Sequence, residues 1–227
     1  MTFEYDRTDE RLTLRRPGTR WLSSGFDGGY RAADAAHNLT VPEGFDRTDL
    51  DAYAAERLGD RPSGPTLLTG VSQRHARGAR RGPVEAVATA GLSNPAALPM
   101  DPAAGACGTD DWRPGTVNVV VGTTTTLDDG GLAGLLATAV EAKAATLLDA
   151  VGVPGTTSDA VVVGCDPDGE SASFAGSATA VGSAARACVR EAVLASLEAR
   201  YDGEDPPTPE KARYGVSTDA AAEVFEP

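Results

Sequence analysis

The alternation of apolar and polar positions predicts a central unit of two strands joined by a helix, between residues 116 and 166. β-Branched residues at every second position favour a buried strand from Val117 to Val121, and a second run of valines favours another at residues 160–163. Between the strands, apolar side chains recur at three- and four-residue steps, which is typical of one helical face. That face contains Leu132, Leu136, Val140, Lys143 and Leu147.

Lys143 is the charged residue on this apolar face. A free ammonium among apolar groups is costly, so we expect Lys143 to pair with Asp159 or Glu141, or to line a cleft. Glu141 lies two positions away, so on a regular helix the two side chains point to different faces and do not share one role. Lys143 is therefore a candidate for chemistry, with a structural ion pair as the alternative.

Outside this unit, the patterns predict strands first and a second long helix later. The predicted strands are 11–15, 21–24, 66–71 and 84–90, and the predicted helices are 47–58 and 179–200. Residues 25–38 are interpreted as a turn and a polar segment. The overall prediction is an α/β (mixed α+β) fold, in which long helices pack on β-sheet in a single layered domain. That domain spans residues 1–201, and residues 202–227 form an acidic, proline-rich C-terminal extension.

The helical crossover makes the two central strands parallel if they share a sheet. Three cysteines, Cys107, Cys165 and Cys188, lack CxxC spacing, so we expect buried, reduced thiols. Residues 74–81 are strongly basic, and contact with a ligand carboxylate or phosphate and a solvated loop are both open interpretations.

Composition narrows the environment and the partners. The 227 residues carry a formal net charge of −13, and only Lys143 and Lys211 are lysines. Such a carboxylate-rich surface stays hydrated in concentrated salt, which indicates a halophilic, cytoplasmic protein; an acidic face for a cationic partner is the alternative. The charge argues against nucleic acid as a partner. We expect no membrane association, because neither a signal peptide nor a run of about 20 apolar residues is found. The sequence does not define an oligomeric state.

Small polar residues gather where the predicted strands begin or end. Ser93 and Asn94 follow one strand, Asn118 opens another, and residues 156–159 lead into a third. Hydroxyl and amide groups beside glycine suit an anion or a carbonyl, because backbone N–H groups approach closely there. Ordinary turn chemistry is the alternative. No GxGxxG, Walker, GxSxG or HExxH motif is present, so the sequence predicts neither a cofactor nor a metal.

An ordered set of segments carries a family resemblance. The segments are 28–38, 41–46, 69–72, 88–95, 115–121, 141–143, 155–163 and 174–177, together with Tyr53. In order and spacing, they resemble the adenosylcobinamide amidohydrolase family over residues 20–200, and the acidic composition indicates a haloarchaeal member. The resemblance implies hydrolysis of the amide between aminopropanol and the corrin ring of adenosylcobinamide, which gives adenosylcobyric acid for coenzyme B12 synthesis. The strand–helix–strand order also resembles the ornithine acetyltransferase and DmpA-type aminopeptidase group, which implies an αββα layering.

Amide hydrolysis needs an attacking oxygen, a base and an oxyanion donor. We hypothesise that Ser93 is the nucleophile or orients water, that Asn94 or Asn118 donates to the oxyanion, and that Lys143 is a base. The catalytic candidates are Ser93, Glu141, Lys143 and Asp159. The substrate-binding candidates are Gly28, Gly29, Asn38, Thr89, Asn94, Asn118, Thr157 and Ser158. The alternatives are a non-catalytic corrinoid carrier and a hydrolase of another small amide; the DxHxxG loop of base-off carriers is absent.

Overall fold

The computed structural model describes residues 3–100, 116–207, 212 and 214–227. The helices are α1 (Leu50–Leu58), α2 (Asp129–Val151) and α3 (Ala180–Tyr201), with a 3-10 helix at Gln73–His75. The first seven strands are β1 (Glu4–Arg7), β2 (Arg11–Arg15), β3 (Arg20–Ser23), β4 (Gly29–Ala32), β5 (Ala35–Thr40), β6 (Thr66–Thr69) and β7 (Arg77–Arg81). The others are β8 (Val84–Ala90), β9 (Ala96–Ala97), β10 (Val117–Thr123), β11 (Thr126–Leu127), β12 (Ala160–Cys165), β13 (Ser171–Ala172) and β14 (Val216–Ser217).

The predicted central unit forms the middle of a six-stranded sheet, in the order β4-β3-β12-β10-β8-β7. β10 and β12 are parallel, with Asn118 opposite Ala160 and Thr123 opposite Cys165, and α2 is their crossover. The other neighbours in this sheet are antiparallel. Every residue of β8, β10 and β12 is buried, as expected for strands covered on both faces. The predicted parallel pair is confirmed.

A second sheet, in the order β1-β2-β5-β6, covers one face of the six-stranded sheet. The apolar core between the two sheets includes Leu12, Leu14, Trp21, Leu67, Val120 and Val162. The two long helices pack on the opposite face, where they share a core with Val117, Val119, Val121, Val161 and Val163. The layers are therefore helices, six-stranded sheet and four-stranded sheet. The predicted mixed α/β class and the packing of sheet by long helices are confirmed.

Helix α2 begins where the sequence predicts. The Asp128 side chain accepts a hydrogen bond from the Gly131 amide at 2.7 Å, as an N-cap residue does. Leu132 and Lys143 are buried as predicted, whereas Val140 is 38% exposed. The prediction for Val140 was wrong because Val140 is the eighth residue after Leu132 and therefore lies about 80° round the helix from it, at the border of the buried face.

α2 is also the one helix, within the part of the chain that the structure describes, with the length and hydropathy of a membrane span. It has 23 residues and a mean hydropathy of 1.4 over its apolar window, half of which is buried inside the protein. Packing against the six-stranded sheet and α3 accounts for this composition, because a helix that is buried in a protein core also needs apolar side chains.

Two segments differ from their prediction. Residues 25–38 contain β4 and the start of β5, and β5 pairs with β2 and β6. β5 contains no β-branched residue before Thr40, and Asn38 lies on its buried face, so the usual strand pattern is missing. The basic stretch 74–81 forms part of the 3-10 helix and the edge strand β7, and not a loop. His75 Nδ1 lies 2.8 Å from the carbonyl of Ala199, near the end of α3.

The C-terminal part contains both a tested and an untested prediction. Cys165 and Cys188 are free and buried, as predicted, and burial raises the pKa of both thiols. Cys107 lies outside the described residues. α3 ends at Tyr201, where the predicted boundary falls, but the division into a domain and an extension stays a prediction. Part of the extension forms β14, which pairs in parallel with β9.

Candidate functional site

The candidate site lies at the edge of the six-stranded sheet where the parallel strands β10 and β12 begin. Strands β8 and β3 end at the same edge, as their pairing with β10 and β12 shows. Two predicted polar clusters meet here. The Thr157 amide donates to the Asn94 carbonyl at 3.2 Å, and Asn94 Nδ2 donates to Thr157 Oγ1 at 2.6 Å. The fold thus brings together loops that are more than 60 residues apart in sequence.

Lys143 and Asp159 form a buried ion pair at this edge. Their side chains are 7% and 11% exposed. Asp159 Oδ1 accepts hydrogen bonds from the Val117 amide at 2.8 Å and from the Thr156 hydroxyl. Asp159 Oδ2 accepts from the Thr156 amide at 3.1 Å and from Lys143 Nζ. Four donors hold the carboxylate in one orientation, so it ties α2 to the starts of β10 and β12.

Gly155 allows the backbone to pass directly against this ion pair. A Cβ atom at Gly155 would lie 2.8 Å from Lys143 Nζ and would clash with the carboxylate of Asp159. Space rather than backbone conformation therefore requires glycine here. The close approach also leaves the pair little room to rearrange.

A cavity of about 300 Å³ opens beside Asp159, between the edge of the six-stranded sheet and strands β5 and β6. Its polar lining comes from Ser24, Arg47, Thr116, Ser158 and Asp159. Its larger apolar lining comes from Phe26, Val41, Phe45, Leu50, Leu67 and Leu68. Thr116 Oγ1 lies 3.2 Å from Ser158 Oγ, so hydroxyl groups and a carboxylate border one side of an otherwise mostly apolar cavity.

Arg47 is the one cation among the cavity-lining residues, and its charge is already matched. Its guanidinium lies 2.6 Å from both Asp49 and Glu56. It also lies over the Tyr53 ring, 5.2 Å from the centroid. Hydrogen bonds from Arg47 lower the pKa of both carboxyl groups, and the same bonds raise the pKa of Arg47. The cavity therefore suits a neutral ligand group better than an anion.

Asn38, Thr89 and Asn118 form a buried hydrogen-bond network between the two sheets. Asn118 Nδ2 donates to Asn38 Oδ1 and to the Leu68 carbonyl, both at 2.9 Å. Asn38 Nδ2 donates to Thr89 Oγ1 at 3.0 Å and to Gln73 Oε1 at 3.3 Å. These contacts join β5, β6, β8 and β10 across a mostly apolar interface between the two sheets.

The network lies directly next to the cavity. Asn118 is two residues along β10 from Thr116, on the same face, and it lies opposite Ala160 in the sheet; both neighbours line the cavity. Both amide hydrogens of Asn118 are engaged, and within the described residues its Oδ1 atom has no hydrogen-bond partner. The three network residues that the sequence assigns to substrate binding are therefore gathered together, but behind the cavity surface.

Comparison with known proteins defines the family. Residues 3–205 match the family model for adenosylcobinamide amidohydrolase. The chain belongs to this family. A Halobacterium salinarum protein named adenosylcobinamide amidohydrolase is 55% identical over an alignment 232 residues long. This alignment covers 99% of this chain and 100% of that protein. A Methanosarcina mazei protein of the same name is 27% identical over 192 residues, which cover 79% of this chain and 90% of that protein. The family resemblance is confirmed, and the Halobacterium relative agrees with the halophilic composition.

The remaining predicted residues of the candidate site do not line this cavity. Ser93 is partly exposed in the loop after β8 and is not among the cavity-lining residues. Gly28 and Gly29 belong to the hairpin between β3 and β4, close in sequence to the cavity residue Phe26. The Glu141 side chain is 63% exposed and pairs with Arg186 of α3 at 3.0 Å. As the two-residue spacing predicts, Glu141 and Lys143 lie in different environments.

Sequence reasoning missed several residues of the candidate site. Thr116 lies two residues before Asn118 as Ser158 lies two residues before Ala160, so the parallel pairing of β10 and β12 was a signal that Thr116 and Ser158 lie side by side. Gln73 and Phe26 had no such signal, because they reach the site through contacts between the sheets and through a hairpin. Among residues 3–100, 116–207, 212 and 214–227, no group of three or more His, Cys, Asp or Glu side chains could hold a metal ion.

Proposed function

We propose that this chain hydrolyses the amide that joins aminopropanol to the corrin ring of adenosylcobinamide. Water adds across the C–N bond, and the products are adenosylcobyric acid and free aminopropanol. The family match and the names of both relatives support this reaction. In the structure, the observation that carries the proposal is the cavity bordered by Thr116, Ser158 and Asp159. The reaction serves corrinoid salvage for coenzyme B12 synthesis, and we place it in the cytoplasm.

The cavity accommodates one arm of the substrate and not the whole corrinoid. Its volume of about 300 Å³ lies at the lower end of the range of roughly 300–1,000 Å³ that encloses drug-sized ligands. A corrin ring with its side chains is larger than such a ligand. We therefore place the aminopropanol arm inside the cavity, and the ring outside against exposed parts of Phe26 and Phe45.

The arrangement supplies the groups that amide hydrolysis requires. We assign oxyanion stabilisation to the hydroxyl of Thr116 and the attacking oxygen to Ser158 or to a water molecule that Ser158 holds. Proton transfer falls to Asp159 with Lys143, because Asp159 is the carboxylate among the described residues that line the cavity. Both amide hydrogens of Asn118 are already engaged, so we assign Asn118 to support of the cavity.

A direct turnover assay tests the proposal. Purified protein in molar KCl receives adenosylcobinamide, and mass spectrometry measures adenosylcobyric acid and aminopropanol. Asp159→Asn should reduce kcat by at least about 100-fold, as loss of a proton-transfer group does. Asp149→Asn is the matched control, because Asp149 lies exposed on α2 and does not line this cavity. Absence of product from the wild-type protein would refute the proposed reaction.

Binding measurements separate the alternatives. A corrinoid spectral change on binding without any product would favour the non-catalytic carrier. If the protein neither binds nor hydrolyses adenosylcobinamide but hydrolyses another small amide, the result would favour the broader amide hydrolase. A Glu141→Gln variant tests the hypothesis that Glu141 is a catalytic residue. The Glu141 side chain is exposed, so the substitution should leave folding intact.

A further inference from the structure

Strand β14 of the C-terminal extension takes part in a short ladder of backbone hydrogen bonds. The Val216 amide donates to the Pro95 carbonyl at 2.9 Å, and the Thr218 amide donates to the Ala97 carbonyl at 3.0 Å. These bonds pair β14 with β9 in parallel. The approach is close, since a Cβ atom at Gly215 would lie 2.7 Å from the Pro95 carbonyl oxygen. The extension is therefore seated on the loop that follows β8.

The same loop contacts the segment that leads into Asp159. The Ala96 amide donates to the Gly155 carbonyl at 2.9 Å, and Pro95 forms an isolated antiparallel bridge with Thr156. Thr156 then donates both its amide and its hydroxyl to Asp159. β9 consequently lies between the extension and the segment that orients the buried carboxylate.

We infer that the C-terminal extension is a positioning element of the active site. β14 holds the loop of residues 94–97, which contains β9. This loop in turn holds residues 155–157, and these residues orient Asp159 and the adjacent Ser158. The inference rests on the proposed function, which places both side chains at the reaction. A two-residue strand such as β9 is not stable alone, so pairing on both of its sides decides how well the loop is ordered.

β14 lies outside the segment that the family model matches. The family model matches residues 3–205 and ends before β14 begins at Val216. The extension thus adds contacts to a site whose other residues all lie within the family match.

Proline substitution tests the backbone contact in the full-length protein. Val216→Pro removes the amide that donates to Pro95, and we expect kcat to fall about 10-fold or more with KM changed much less, because small misplacements of reacting groups slow catalysis steeply. Val216→Ala keeps the amide and should retain wild-type turnover. Ala221→Pro is the matched control, since Ala221 is exposed and its amide makes no hydrogen bond among the described residues.

Hydrogen exchange locates the effect. In Val216→Pro, peptides covering residues 92–98 and 155–159 should exchange faster, while the rest of the sheet keeps its protection. Wild-type kcat and unchanged exchange in Val216→Pro would overturn the inference. A global loss of protection would also overturn it, because the extension would then stabilise the whole fold. If the wild-type protein has no turnover, the proposed function fails, yet exchange still tests the positioning contact.

Discussion

Replacement of Lys143 by methionine gives the strongest test of the buried ion pair. The side chains of Lys143 and Asp159 are 7% and 11% exposed, so the variant leaves a carboxylate with little access to water and no counter-charge. Loss of one partner from a buried pair costs about 3–5 kcal/mol. That is a large part of the roughly 5–15 kcal/mol that stabilises a typical protein. Lys143→Met should therefore lower both stability and turnover.

A double-mutant cycle separates the pair from the individual side chains. Asp159→Asn alone leaves a buried ammonium, and we expect a loss of similar size. The double variant Lys143→Met/Asp159→Asn contains no unpaired charge, so its free energy of unfolding should exceed the additive expectation by about 2 kcal/mol or more. Urea unfolding at constant molar KCl measures all four proteins.

An exposed ion pair provides the control. Arg190 and Glu191 lie 2.7 Å apart on α3 with side chains 59% and 57% exposed, so Arg190→Met should cost no more than about 1 kcal/mol. A loss below about 1 kcal/mol for Lys143→Met, or an additive cycle, would refute the reasoning. Turnover of the same samples then shows whether activity falls further than the folded fraction accounts for.

Three further results follow from the geometry. Gly155→Ala should destabilise the protein by about 1–3 kcal/mol in urea, because its Cβ meets the ion pair, whereas Gly134→Ala, with open space at its Cβ, should not. Ser158→Ala should lower kcat/KM by about 100-fold and Ser93→Ala by much less; the reverse order would return the nucleophile role to Ser93. Burial and neighbouring arginines lower the pKa of His37 from 6.5 to about 4. Protonation of His37 therefore favours the unfolded chain. The free energy of unfolding is at its full value above pH 6.5 and falls towards pH 4, by about 2 kcal/mol at pH 5. Unfolding measurements should show that His37→Gln removes most of this loss.

The central unit of the fold was predictable because its signals are local. Each strand is a run of valines, and Asp128 caps the helix between them. β5 was missed because its buried face includes an asparagine, and that residue is tolerated only through partners on β8, on β10 and in the 3-10 helix. β7 was missed because an edge strand needs few apolar residues. Contacts distant in sequence decided both cases.

Part of the candidate site was predictable as a set of residues, but its arrangement was not. Asn94, Thr157, Ser158 and Asp159 were chosen as polar ends of strands, and the structure gathers them at one edge of the sheet. The cavity depends on Phe26 and Phe45, which approach from separate loops and carry no chemical signal of their own. Whether the chosen residues perform catalysis stays a prediction that the variants above test.

Under the proposed function, charge compensation inside the candidate site would let a protein with a net charge of −13 recognise its substrate in concentrated salt. At about 1 M salt, the screening length is roughly 3 Å, so exposed charges contribute little to recognition. The two cations at the site, Arg47 and Lys143, are each matched by carboxylates of the protein itself. Apolar contact and hydroxyl groups then remain to bind the aminopropanol arm that we propose as the occupant of the cavity. Neither depends on long-range attraction, so the acidic surface can serve solubility without weakening the site.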